Sequence, residues 1–177
     1  MTEKKRFFDV KLEILNSVVP LLASSQDSLV GRVVKLDLTK ILKGKNCEAK
    51  FIIKKYDNEI IGEIFSFMIY PSYIRRLIGH NVRIVEDSFS VNAKDVSLRV
   101  KPFLITRKKV HRSVAKALRK ETRDFLGKMF LEKTRDKIFQ GVITGILQRQ
   151  LSKRLKKIYP LAVCELRVLK VEKITKS

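Results

Sequence analysis

Residues 96–123, VSLRVKPFLITRKKVHRSVAKALRKETR, change period in mid-stretch, and that change decides the fold class. Val96, Leu98 and Val100 alternate with Ser97, Arg99 and Lys101, and Phe103–Ile105 extends the run: the two-residue period of a strand with one buried face. From Val110 onward the period becomes helical. On a wheel of about 100° per residue Val110, Val114, Ala117, Leu118 and Phe125 share one side, and Arg112, Lys116, Arg119, Lys120 and Arg123 the other.

Upstream of this junction the chain reads as strands. Phe7–Leu12 is apolar and extended, and Gly31–Leu38 opens at a glycine turn and is rich in β-branched residues. Two long β-prone runs flank Asp57-Asn58, a turn pair that predicts a hairpin ended by Pro71. Pro71–Ile78 has proline at its start and Gly79 past its end, the marks of a short helix. Val82–Val91 alternates again, with a turn at Asn92–Asp95. Short strands joined by turns predict a small antiparallel barrel or a strongly bent sheet. Downstream, helical periodicity runs from about Arg135 to Ile158, with Gly141 and Gly145 as a break or close-packing point. Leu147, Leu151, Leu155 and Ile158 face one way, and Arg149, Lys153, Lys156 and Lys157 the other. Pro160 stops the helix, and Leu161–Ile174 returns as a strand with Val163, Glu165, Arg167 and Leu169 on one side. The expectation is an α+β domain spanning 1–177: an antiparallel barrel-like sheet over 1–106, basic helices over 107–159 and a closing strand over 160–174.

Charge divides the chain the same way. Residues 1–98 carry 16 basic and 12 acidic side chains, residues 99–177 carry 23 and 6, and the total is +21 in 177 residues. Such an excess repels itself and calls for a polyanionic partner. A solvated helix face with i,i+4 ion pairs would be the plainer account, but only Glu121 is acidic between Arg99 and Arg123. Arg112/Lys116, Lys116/Lys120 and Arg119/Arg123 are instead repulsive pairs. Phosphate relieves them, so nucleic acid is the expected partner, read through its backbone and shape rather than its sequence. Phe7, Phe8 and Tyr73, beside charge, are the candidates for stacking on bases.

Catalytic motifs are missing: there is no Walker A loop, G-x-G-x-x-G, G-x-S-x-G or H-E-x-x-H. His80 and His111 have no partner at ligand spacing. Asp57, Glu59 and Glu63 read as turn and strand residues rather than a cation site. Cys47 and Cys164 form no C-x-x-C pair and fit a reducing, cytosolic compartment. The reading is of a protein without enzymatic activity, cofactor, metal, small-molecule substrate or membrane partner.

The motifs together resemble a known family. Lys4-Lys5-Arg6-Phe7-Phe8-Asp9-Val10, Leu29–Val33 (LVGRV), Val96–Pro102 (VSLRVKP), Arg107-Lys108-Lys109 with the basic helix, and Lys156–Leu161 (KKIYPL) occur in the order of the archaeal/eukaryotic small-subunit ribosomal proteins of the S3Ae (eS1) family. The similarity runs from about Lys4 to Val171, and the short length is like the archaeal branch. It implies a structural protein of the cytoplasmic ribosome, on the platform of the small subunit near the rRNA 3′ end and the mRNA exit. Its partners would be rRNA, neighbouring platform proteins and, as a further candidate, mRNA. The residues expected to contact rRNA are Lys4, Lys5, Arg6, Arg107, Lys108, Lys109, Arg112, Lys116, Arg119, Lys120, Arg123, Arg149, Lys153, Lys156 and Lys157. The alternative is a non-structural RNA-binding assembly or translation factor with the same basic surface.

Overall fold

The computed structural model describes residues 5–42, 44–56 and 59–174. The turn expected at Asp57-Asn58 lies outside them, but the strands on either side are present. In chain order the elements are β1 (Arg6–Leu12), β2 (Ser17–Ala23), β3 (Val33–Asp37), β4 (Cys47–Tyr56), β5 (Glu59–Ile69), α1 (Pro71–Leu77), β6 (Ile84–Glu86), β7 (Phe89–Asn92), β8 (Val96–Thr106), α2 (Arg112–Leu131), α3 (Arg135–Ile143), α4 (Ile146–Leu155) and β9 (Leu161–Ile174).

The fold is α+β, the nine strands among the described residues form one sheet, and it is not a barrel. The main path runs β2-β1-β5-β9-β8-β6, with β3 and β4 branching from β5 and β7 pairing β8. No strand pairing joins β2 or β3 to β6 or β7 among these residues, so the expected closure does not occur. The sheet is also mixed rather than antiparallel, because β1 meets β5 in parallel at Lys11 and Ile61. Closure and strand direction depend on pairings between distant segments, which alternation within one strand does not encode. Gly62 permits the β1–β5 approach: a Cβ there would run into Leu12 and sit 3.6 Å from both Phe51 and Val10.

Strand β2 has no counterpart in the sequence reading. Its sequence, SVVPLLA, carries Pro20 at its centre. Proline cannot donate to a ladder and is confined to edges, and β2 is an edge strand paired only with β1. The run expected over Val82–Val91 is two strands, β6 and β7, split at Asp87-Ser88. The helix expected at Pro71 is present.

The long helix expected from Arg135 to Ile158 is two. The break falls at Gly145, whose φ of 73° is a left-handed conformation open to glycine at little cost. Gly141 is not a close-packing point: a Cβ there would lie 3.7 Å from Leu147, an ordinary van der Waals contact. Helix α2 is rotated from its expected setting. Ala115, Leu118, Thr122, Leu126 and Phe130 are buried, whereas Ala117 is exposed and Val114 and Phe125 are half-buried.

Strand β9 returns to the sheet as expected and runs between β5 and β8. Its faces do not alternate simply. Opposite β8 it carries one extra residue at each of three register shifts, at Ala162, Arg167 and Glu172. These are β-bulges, which flip the facing of whatever follows. Leu166 and Leu169 are thus both fully buried, and Leu169 does not share a face with Val163, Glu165 and Arg167 as its spacing predicts. Helices α2 and α4 cover one side of the sheet, packing on β6, β7 and β9.

Candidate nucleic-acid interface

The last pair of the β8–β9 ladder is Thr106 with Leu161. Two basic segments some 50 residues apart in sequence therefore leave the sheet at one corner. Arg107, Lys108 and Lys109 follow β8, while Lys156 and Lys157 close α4 just before β9 begins. The Arg107 N–H donates to the Pro160 carbonyl at 3.4 Å, tying the two exits together. All five cations are exposed.

Thr106 fixes this corner. It is fully buried. Its hydroxyl donates to the Lys108 carbonyl at 2.6 Å and accepts the Arg83 N–H at 3.0 Å. The Thr106 N–H in turn donates to the Arg83 carbonyl at 3.0 Å. One side chain thus holds the basic loop and brings exposed Arg83 beside it. Thr106→Val keeps the branched shape but leaves the part-buried Arg83 N–H and Lys108 carbonyl without the hydroxyl, so about 1 kcal/mol of stability should be lost. Urea denaturation checks this, and hydrogen exchange at the Arg83 amide should accelerate.

Helix α2 begins at Arg112, directly beyond the loop. His111, its N-cap, makes no side-chain capping bond, and the first turn contains no acid. The positive end of the helix dipole and its unpaired N–H groups therefore add to the field of Arg112 and Lys116, both exposed. The corner is a place where one anionic chain can meet loop, helix end and α4 together.

Other expected contacts lie elsewhere. Arg119 and Arg123 also contact the β6–β7 turn, although the Arg123 side chain stays 54% exposed. Arg119 Nε donates to the Glu86 carbonyl at 3.0 Å. Arg123 makes a two-pronged pair with Asp87, at 2.5 and 2.6 Å, and lies 5.6 Å from the Phe89 ring centre. That pair, through the hydrogen bond from Arg123 first, holds the Asp87 carboxyl below the ordinary range. The like charges on α2 are thus partly relieved by the β6–β7 turn, whose acid is 36 residues away from its partner. Lys120 is exposed. Arg149 and Lys153 are exposed along α4, Arg149 near its start in a groove with Lys45, well away from Lys157. Lys5 and Arg6 are exposed at the start of β1, on the far side of β5 and β9 from the corner. Lys4 lies outside the described residues. Arg83 is the corner residue that sequence reading missed; a single arginine in an alternating strand gives no signal of its own.

Burial raises the Cys47 thiol to about 11 and the Cys164 thiol to about 12, so neither is a thiolate near neutral pH. Among the described residues no group of three or more His, Cys, Asp or Glu could hold a metal ion. No helix among them is long and apolar enough to cross a membrane.

Comparison with known proteins identifies the family. The model of the Ribosomal S3Ae family matches residues 2–175. The chain is 31% identical over 127 residues to small ribosomal subunit protein eS1 of Saccharolobus islandicus, covering 71% of this chain and 61% of that one. It is 28% identical over 170 residues to small ribosomal subunit protein eS1 of Nanoarchaeum equitans, covering 89% and 84%. The matched region therefore spans 61% of the Saccharolobus protein's length. This chain belongs to the Ribosomal S3Ae family.

Proposed function

We propose that the chain is a structural constituent of the small ribosomal subunit, holding rRNA phosphates at the corner where β8 ends and β9 begins. The observation that carries this reading is the convergence of Arg83, Arg107, Lys108, Lys109, Arg112, Lys156 and Lys157 on one edge of the sheet, in a chain with a net charge of +21. Relatives named as small-subunit proteins support the assembly, and family resemblance suggests the platform, near the rRNA 3′ end and the mRNA exit. Lys116 and Lys120 extend the contact along α2, and Lys153, Arg149, Lys5 and Arg6 would meet other parts of the RNA. Arg119 and Arg123 act chiefly as struts between α2 and the β6–β7 turn. Cationic side chains and a helix N-terminus bind backbone without reading bases.

Sucrose-gradient sedimentation of lysate at moderate and high salt tests the reading. The expected result is co-sedimentation with the small subunit, one copy per particle, in both conditions. Release at high salt, or substoichiometric amounts, would identify a transient assembly or translation factor instead.

A further inference from the structure

The side of the sheet away from α2 and α4 carries a second set of cations. Ser90, Arg99 and Lys170 are register partners across β7, β8 and β9, so they form one row over the sheet. One alternation along, Ser97 stands opposite Lys173, and in the other direction Lys101 stands opposite Val168. The rows line an open groove of about 1170 Å³, with the Phe65 ring at its floor. Its shape follows from the bulges at Arg167 and Glu172, which flank Val168–Val171 and increase the local twist.

The groove's charge is one-sided. Arg99, Lys101, Lys170 and Lys173 line it, against Glu172 alone. Glu172 orders its neighbours rather than cancelling the site: one carboxylate oxygen accepts Arg99 Nε at 2.7 Å and the other accepts the Ser90 hydroxyl at 2.7 Å. Arg99 keeps its terminal N–H groups for another acceptor. Lys170 lies over Phe65, 5.5 Å from the ring centre. Among the described residues, Lys101 and Lys173 make no ion pair.

We propose that this groove binds an unpaired RNA segment, so that the chain bridges two RNA segments, one at the corner and one across the open sheet. The inference rests on the RNA-binding reading above. A cationic track with an aromatic ring between its cations is the composition of a single-strand site. The width points the same way: β7, β8, β9 and β5 at about 4.8 Å spacing give roughly 15 Å of floor, enough for one strand laid across it. Ser88, Asn92 and Ser97 supply neutral groups that can bond to bases or 2′-hydroxyls.

The experiment uses the full chain with an unstructured RNA oligonucleotide of roughly 12 nucleotides, a length within the range of single-strand sites, and a duplex of equal length. Native mass spectrometry and titration give stoichiometry, and a salt series gives the slope. The wild type is expected to bind two single strands per chain. A variant with Lys101→Gln, Lys170→Gln and Lys173→Gln is expected to bind one, its summed salt slope reduced by about two units at roughly 0.7 per phosphate contact. A corner variant with Lys108→Gln, Lys109→Gln, Lys156→Gln and Lys157→Gln should keep the sheet site. Unchanged stoichiometry in the sheet-face variant overturns the inference, as does preference of this site for the duplex or its displacement by a poly-glutamate peptide. In each of those cases loss of binding in the corner variant leaves the proposed function standing. If neither variant changes binding, both readings fail.

Discussion

Replacing Lys108, Lys109, Arg112, Lys156 and Lys157 together by glutamine is expected to flatten the salt dependence of rRNA-fragment binding by about four to five units. Each phosphate contact on a duplex contributes about 0.9 to the slope of log affinity against log salt, so five contacts contribute about 4.5. Between 50 and 200 mM salt the wild type should therefore lose roughly 500-fold more affinity than the variant. All five side chains are exposed, and none makes an ion pair among the described residues. The fold should hold, and Arg112 no longer repels Lys116 one turn on. A matched variant with Arg119→Gln and Arg123→Gln should show the reverse: a small change in slope and a loss of stability, because those side chains brace α2 against the β6–β7 turn. Equal slopes for the two variants would remove the corner as the phosphate site.

Arg135→Ala is expected to cost about 3 kcal/mol at neutral pH, the low end for breaking a largely buried ion pair. Arg135 opens α3, and its side chain is 16% exposed. Its guanidinium pairs with Glu63 on β5, which is 13% exposed, and with Asp136 at 3.0 Å, while its N–H donates to the Asp95 carboxylate. The cost is at the low end because Lys54, at 2.9 Å, and the Tyr56 hydroxyl remain with Glu63. Burial pushes the Glu63 carboxyl upward, but hydrogen bonds from Tyr56, Lys54 and Arg135 outweigh it and hold the group at about 2. A carboxyl lower in the folded than in the unfolded state stabilises fully above the unfolded value of 4.5, and that contribution is lost as pH falls toward 2. The gap between wild type and variant should therefore narrow over that window, as urea denaturation at a series of pH values would reveal. A gap independent of pH would place the loss in α3 packing rather than in the pair. Arg135→Lys should recover part of it.

Local pattern made much of this molecule legible. The strand at Val96–Ile105, the helix at Pro71 and the returning strand after Pro160 each follow from a period and a boundary residue. What escaped depended on partners far along the chain. Pro20 reads as a strand breaker until β2 is known to be an edge, and nothing in β1 announces that it meets β5 in parallel. Three bulges reset the facing of β9, so spacing alone misplaced Leu169. On a wheel, Arg119 and Arg123 look identical to Arg112 and Lys116; Glu86 and Asp87 separate them, and a wheel cannot contain those residues. The same holds for the site. Arg107–Lys109 is visible as a run, whereas its meeting with Lys156 and Lys157 exists only because Thr106 pairs with Leu161. Lys101 and Lys170, spaced through alternating strands, look like ordinary solvent-facing residues until the ladder sets them side by side.

Among the described residues, strand β9 is the one sheet connection between the β1–β5 portion and the β6–β8 portion. It follows every strand it joins in the chain, so it leaves the synthesising ribosome after all of them. Until those residues emerge, the earlier strands form two unjoined pieces, β8 offers an unpaired edge, and α4 lacks the strand on which it packs. Pairings of such long sequence separation are slow to form, because the loop must close before any contact rewards it. The sheet is therefore completed only after its other strands have been made, and the nascent protein passes through a stage in which a highly cationic, half-paired sheet is open to aggregation. On the proposed function, RNA bound early in the life of the chain would shield that stage and give the basic surfaces a part in the protein's own maturation.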